Sequence, residues 1–197
     1  MRNSTRGRRP GTSRTREQIA AAAARLFAEL GYDRASLRSI AAEAGVDPAL
    51  VTHYFGSKQR LFVEVTELPV DPAAVVAQVV EGPRDQAGRR LAQFVLDVLE
   101  SPEGRARVTG LVRAAASEPE AAALLRKLIE TRLVGPIAAG LGADRPELRA
   151  TLVGTQLVGL VMARYVVGVR PLASADPGEV AAALAPVLQH YLTEPLS

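Results

Sequence analysis

The sequence predicts an all-α chain in two parts, a small three-helix domain at the N-terminus and a larger helical domain after it. Three observations carry the prediction. From Thr15 onward apolar residues recur at the helical period of 3.6. Asp-Pro and Ser-Pro pairs, each an N-cap residue followed by a proline at the first helical position, recur at Asp71, Ser101 and Asp176. Beyond the N-terminal helices no stretch alternates convincingly with the two-residue period of a strand. With 48% hydrophobic, 23% charged and 4% aromatic residues among 197, the composition is that of a globular protein whose core is built from Ala, Leu and Val.

In chain order, residues 1–14 place Arg2, Arg6, Arg8, Arg9 and Arg14 among Ser, Thr, Gly and Pro, which offer no apolar face, and predict a flexible basic arm. The first helix starts at Thr15, which with Gln18 has capping-box spacing. It turns Ile19, Ala23, Leu26, Phe27 and Leu30 to one side before Gly31 stops it. The second runs from the N-cap Ser36 through Leu37, Ile40, Ala41 and Ala44 to Gly45, where a left-handed residue is favoured. The third opens with Asp47 as N-cap and Pro48 at the first helical position, and ends near Phe55 before Gly56. A fourth begins at Ser57 and carries Leu61, Phe62 and Val65. Its first turn holds Lys58 and Arg60, where the helix dipole disfavours cations and an external anion would relieve the conflict. Further helices are predicted over 72–81, 85–100, 103–116, 119–140 with a break at Pro136, 146–169 and 177–193. The predicted organisation is an arm (1–14), a three-helix domain with its trailing helix (15–66) and a second helical domain (67–197).

The formal net charge of +3 conceals an asymmetry. Residues 1–66 hold 11 Arg or Lys against 6 Asp or Glu, and residues 67–197 hold 13 against 15. A basic N-terminal part beside a nearly neutral remainder suggests a module for a polyanion joined to one with another task. Without cysteine, disulfides, thiolate nucleophiles, iron–sulfur clusters and cysteine-ligated zinc are excluded. With only His53 and His190, a multi-histidine metal site or a Ser-His-Asp triad is disfavoured, and no cofactor is expected. The N-terminal arginines run into Pro10, Gly11 and Thr12, where a signal peptide needs an apolar stretch. The longest uncharged run, 150–163, falls short of a membrane span. These readings point to a cytoplasmic protein.

The second helix, the turn Gly45-Val46-Asp47 and the third helix have the length and glycine placement of a helix-turn-helix. Such a motif puts the N-terminal residues of its second helix into the DNA major groove. With Leu50 and Val51 partly holding that helix to the first two, Pro48, Ala49, Thr52 and His53 face the groove. Ala49 can touch a thymine methyl, Thr52 and His53 can hydrogen-bond a base edge or phosphate, and Arg38 can offer the bidentate contact to guanine. Duller roles compete: Tyr54 and Phe55 as core, Lys58 as a solvated charge, Arg38 paired with Glu43 or Asp33.

The run Ile40-Ala41-Ala42-Glu43-Ala44-Gly45-Val46, followed by His53-Tyr54-Phe55-Gly56-Ser57-Lys58 and Leu61-Phe62, resembles the N-terminal domain of tetracycline-repressor (TetR) family regulators over Arg14 to Val65. The resemblance implies that Tyr54 and Lys58 bind phosphates and that Ser36 and Arg38 meet DNA from the second helix. It also implies that Pro48, Ala49, Thr52 and His53 lie at base edges. The family often has an aromatic where this chain has Thr52, and Ser or Thr where it has Leu50, so the base contacts do not transfer directly.

The helices after about Thr66 would, on the same resemblance, form a ligand-binding and dimerisation domain. Helix 146–169 is apolar on more than one face, with Leu152, Val153, Leu157, Leu160, Val161 and Val166, and Gly154 and Gly159 suit close helix contact. Paired with 177–193 and their symmetry mates it would give a homodimer of four packed helices. An effector pocket is expected between helices 85–100, 103–116 and 146–169, lined by Phe94, Val98, Leu111, Val112 and Met162, with Gln156, Arg164 or Tyr165 as polar anchors. Arg164 has the alternative of an ion pair with a nearby acid. The reading is a homodimeric regulator released from a palindromic double-stranded operator by an unidentified small molecule. The competing reading is a helical small-molecule-binding protein or enzyme with a non-specific basic N-terminus.

Overall fold

A computed structural model describes residues 10–65 and 71–196, all-helical apart from turns. They fall into two compact units, within 1–66 and 67–197. Of the arm predicted over residues 1–14, residues 1–9 lie outside the described residues.

Unit one contains α1 (Pro10–Arg34), α2 (Leu37–Ala44), α3 (Pro48–Phe55) and α4 (Lys58–Val65). The first helix begins at Pro10 rather than Thr15, so residues 10–14 are helical and Thr15 is no cap. A proline is well placed there, because the first helical amides have no intrahelical partner. Gly31 breaks α1 with φ 76° and ψ 167°, which brings Tyr32 back onto the core. The rings of Phe27 and Tyr32 both meet Phe62 edge-on, at 5.0 Å each. Around this cluster Ile19, Ile40, Val51, Phe55 and Leu61 are buried. Two exposed pairs add about 0.2–1 kcal/mol each: Arg25–Glu43 (3.0 Å) between α1 and α2 and Arg16–Glu64 (2.6 Å) between α1 and α4. The Arg16 guanidinium also lies 4.9 Å over the Phe55 ring.

Unit two comprises α5 (Pro72–Val80), α6 (Ala87–Glu100), α7 (Pro102–Ala115), α8 (Pro119–Lys127), α9 (Val134–Gly140), α10 (Pro146–Leu160) and α11 (Pro177–Thr193). Asp71, Ser101 and Asp176 cap α5, α7 and α11 through their side chains, as the Asp-Pro and Ser-Pro pairs predict. Helix α8 continues as a π turn over Leu128–Arg132, and α10 as another over Val161–Val167. The expected break at Pro136 falls instead at Leu133. Pro136 sits in the first turn of α9, where a missing donor costs nothing, and the tight turn is set by Gly135, whose added Cβ would lie 1.9 Å from the Glu130 carbonyl oxygen.

The core of unit two gathers Leu91, Leu96, Leu99, Ile137, Val153, Leu188 and Leu192, with α6 and α11 as its central pair. Pro146–Val167 is long and apolar enough to cross a membrane, with mean hydropathy 1.5. Within it, however, Arg149 and Arg164 are buried against backbone carbonyls, and its inner face belongs to the core.

Candidate nucleic-acid interface and apolar cavity

The turn between α2 and α3 is built from local chemistry. Gly45 takes φ 66° and ends α2 with its N–H on Ala41 and Ala42, the left-handed cap at which a side chain is disfavoured. The Val46 N–H follows onto Ala41 O at 2.9 Å. Asp47 Oδ1 then accepts from Ala49 N at 2.7 Å and starts α3 beside Pro48. One face of α3 is thereby fixed inward, with Val51 1% and Phe55 5% exposed. Pro48, Ala49, Thr52 and His53 are all exposed.

Leu50 departs from expectation. It stands 37% exposed because α3 is held by the i, i+4 pair Val51 and Phe55, which leaves position 50 beside Ala49 and His53. The spacing of those two buried residues was the signal that could have placed it.

Tyr54 is half-buried, its ring edge-on to His53 at 5.3 Å. Ser36 is committed to its own helix: its Oγ accepts from Ser39 N at 3.0 Å and its N–H donates to Ser39 Oγ at 2.9 Å. Arg38 is exposed and makes no hydrogen bond or ion pair among the described residues, Glu43 being taken by Arg25. The Lys58 ammonium lies 4.4 Å from the Tyr32 ring centroid and donates to the Asp33 carbonyl at 3.4 Å. Burial lowers its pKa from the ordinary value while Asp33 opposes the shift.

In unit two, α6, α7, α8, the π turn after it, α9 and α10 line a partly open cavity of about 130 Å³. Phe94, Val98, Leu111 and Val112 line it, as the spacing suggests, together with Leu128, Ile129, Leu157 and Val161. The other four candidates lie elsewhere. Met162 is 36% exposed and Gln156 half-buried, both outside the lining. Arg164 is buried and outside the lining: Nη2 donates to Ala175 O at 2.9 Å and stands 3.4 Å from Glu100 Oε1, Nη1 donates to Leu172 O, and Nε, also buried, has no hydrogen-bond partner among the described residues. Tyr165 donates to Glu100 Oε1 at 2.8 Å; desolvation first, then this hydrogen bond, raises its pKa. Among the described residues no group of His, Asp and Glu is placed to hold a metal.

Residues 85–192 match the family model described as tetracyclin repressor-like, C-terminal domain, and residues 19–65 match that of bacterial regulatory proteins, tetR family. The chain belongs to the TetR family. Regulators of this family are DNA-binding transcription factors, not enzymes. A TetR-family regulator from Streptomyces coelicolor A3 is 37% identical, with a TM-score of 0.50 over 94% of this chain and 98% of that one. NalD, the secondary repressor of the MexAB-OprM multidrug efflux pump in Pseudomonas aeruginosa, shares the fold at 21% identity and a TM-score of 0.54, over 95% of this chain and 100% of that one. The transcriptional repressor AcnR of Corynebacterium glutamicum is 32% identical over 89 residues, 45% of this chain; the match spans 43% of that relative's length. The TetR N-terminal match covers α1 from Ile19 through α4, and with it every residue singled out for DNA. The C-terminal match contains the whole cavity lining.

Proposed function

We propose that the protein is a homodimeric transcriptional repressor that binds a palindromic operator in the cytoplasm and is released from it by a small molecule held in the cavity of unit two. The observation that carries this reading is the reading face of α3, where Pro48, Ala49, Leu50, Thr52 and His53 are exposed on a helix whose buried residues are Val51 and Phe55. Thr52 and His53 supply hydrogen bonds at base edges, Ala49 and Leu50 apolar contact with thymine methyls, and Arg38 a bidentate contact. Tyr54, Lys58 and Ser36 border phosphates, Ser36 through the N-terminal end of α2 rather than a free hydroxyl. The repressor names of the AcnR relatives support the direction of regulation.

The homodimer rests on the outer faces of α10 and α11. Leu148 is 44% exposed, Met162 36% and Val187 38%, and a Cβ at Gly159 would meet nothing within 4 Å. An inverted operator needs two reading heads. The test is anisotropy with DNA from immediately upstream of the coding sequence, beside a scrambled duplex and across a salt series. Sequence-dependent binding that weakens with Arg38→Ala, Tyr54→Phe and Lys58→Ala supports the proposal. Equal weak binding to both duplexes, and to duplexes selected from random pools, refutes it.

A further inference from the structure

The cavity of unit two says what chemistry it will accept. Its lining, from Phe94 and Val98 on α6 through Leu111 on α7 to Leu157 and Val161 at the end of α10, presents no polar surface to the interior. The polar groups one turn further along are tied to one another. Glu100 holds the Tyr165 hydroxyl at 2.8 Å and Arg105 Nη2 at 2.9 Å, and the Arg105 and Arg164 guanidiniums lie 5.4 and 5.3 Å over the Tyr165 ring. None of these residues belongs to the lining. A charge taken into such a site loses its water without gaining a partner, at a cost of several kcal/mol. Water is poorly served for the same reason: a buried water needs two to four polar partners, and apolar cavities of about 150 Å³ stay dry and take up benzene or xenon.

The wall is thin at one place. Leu125, Ile129, Gly154 and Val158 line both this cavity and an open groove of about 590 Å³ on its other side, where Arg126, Glu130, Thr151 and Thr155 supply the polar groups. Ile129 belongs to the π turn and lies over Gly154 so closely that an added Cβ would sit 2.8 Å from its Cγ2.

Taking the cavity as the effector site proposed above, we infer that it selects a compact, uncharged, predominantly hydrocarbon molecule of the bulk of a single six-membered ring, and rejects carboxylates and ammonium ions of the same shape. Specificity then comes from fit, about 10- to 200-fold per misplaced methylene.

The full chain is titrated with toluene, benzoate and benzylammonium, reading the thermal midpoint and, separately, anisotropy on the operator; ¹²⁹Xe NMR of the unmutated protein provides a third measure. Toluene is expected to raise the midpoint and xenon to bind saturably, while the two ions leave the midpoint unchanged. Leu111→Phe and Leu157→Phe, which fill the space, are expected to abolish the toluene and xenon responses without lowering the ligand-free midpoint. A shift by benzoate or benzylammonium as large as that by toluene overturns the inference, as does absence of both toluene and xenon binding. The two readings fail separately. Toluene that binds without weakening operator affinity sustains the ligand class and refutes the effector role; release by a charged compound that occupies the cavity does the reverse.

Discussion

Replacing Leu50 by alanine separates reading from packing. A fully buried leucine side chain is worth about 1.5–3 kcal/mol, and 37% of Leu50 remains uncovered. Covering that remainder against DNA is therefore worth about 0.6–1.1 kcal/mol per reading head. Two heads in a dimer make this about 7- to 40-fold in operator affinity. Because Leu50 carries no charge, the salt dependence should be unchanged. Because Val51 and Phe55 hold α3, the stability loss should stay below about 2 kcal/mol, the worth of the part of Leu50 already covered. Anisotropy on the native duplex, and on duplexes with thymine replaced by deoxyuridine one position at a time, checks the contact itself. At the positions Leu50 reads, loss of the methyl should weaken the unmutated protein and leave Leu50→Ala indifferent, the signature of a coupled pair. Unchanged operator affinity in Leu50→Ala would refute the assignment. So would a stability loss of about 2–5 kcal/mol, the range of a truncated core leucine.

Lys58→Ala should flatten the plot of log affinity against log salt by about one unit per reading head and weaken specific and scrambled duplexes alike; a sequence-selective loss would place Lys58 at a base instead. Asp144 has its pKa held below the ordinary value of 3.8, first by the hydrogen bond from Arg149. A carboxyl depressed by folding stabilises above its unfolded pKa and loses that contribution as pH falls through the folded value. Asp144→Asn should therefore be less stable than the parent at pH 7, with the gap closing on acidification below about pH 4; chemical denaturation at several pH values decides, and a constant gap contradicts it. Gly159→Arg and Met162→Glu, on the outer face of α10, should halve the mass in sedimentation equilibrium while leaving helicity intact, since Gly159 has open space and Met162 is exposed; an unchanged mass would move the dimer contact elsewhere.

Helix existence was legible wherever capping chemistry was local. Ser36, Asp47, Asp71, Ser101 and Asp176 all act within three residues of themselves. The α2–α3 turn was legible for the same reason, being written by Gly45 and Asp47. Boundaries where two local signals competed, and side chains whose partners lie elsewhere in the fold, were not. The start of α1 moved because Pro10 can open a helix that Thr15 merely tolerates. The break near Pro136 moved to Leu133 because Gly135, close against the Glu130 carbonyl five residues before it, outweighed a proline in a first turn. At the cavity, Phe94, Val98, Leu111 and Val112 followed from apolar spacing, whereas the proposed polar anchors failed. Residue type alone does not say whether Arg164 and Tyr165 face a ligand or Glu100.

The arginines of this chain serve two different ends. The last carbonyls of a helix have no intrahelical donor and carry the negative end of its dipole, and unit two sets arginines against them repeatedly. Arg90 Nε donates to Val79 O of α5 at 3.2 Å, Arg105 Nε to Leu99 O of α6 at 2.8 Å, and Arg149 to Tyr191 O and Glu194 O at the end of α11 at 2.7 and 2.9 Å. Arg149, only 2% exposed, has Asp144 as its counter-ion. These cations are spent inside the unit and add little to the field felt by a polyanion. In unit one Arg38 is exposed with no partner among the described residues. The contrast lies in the use of individual arginines, between those that end helices in unit two and Arg38, left facing outward from the helix-turn-helix. Capping arginines act between helices within about 3 Å, so Arg149→Met removes three carbonyl partners, two of them at the end of α11, and their dipole compensation without touching DNA affinity per folded molecule. Arg38→Ala does the opposite. If both variants lost stability and affinity in the same proportion, the two populations of arginine would not be distinct.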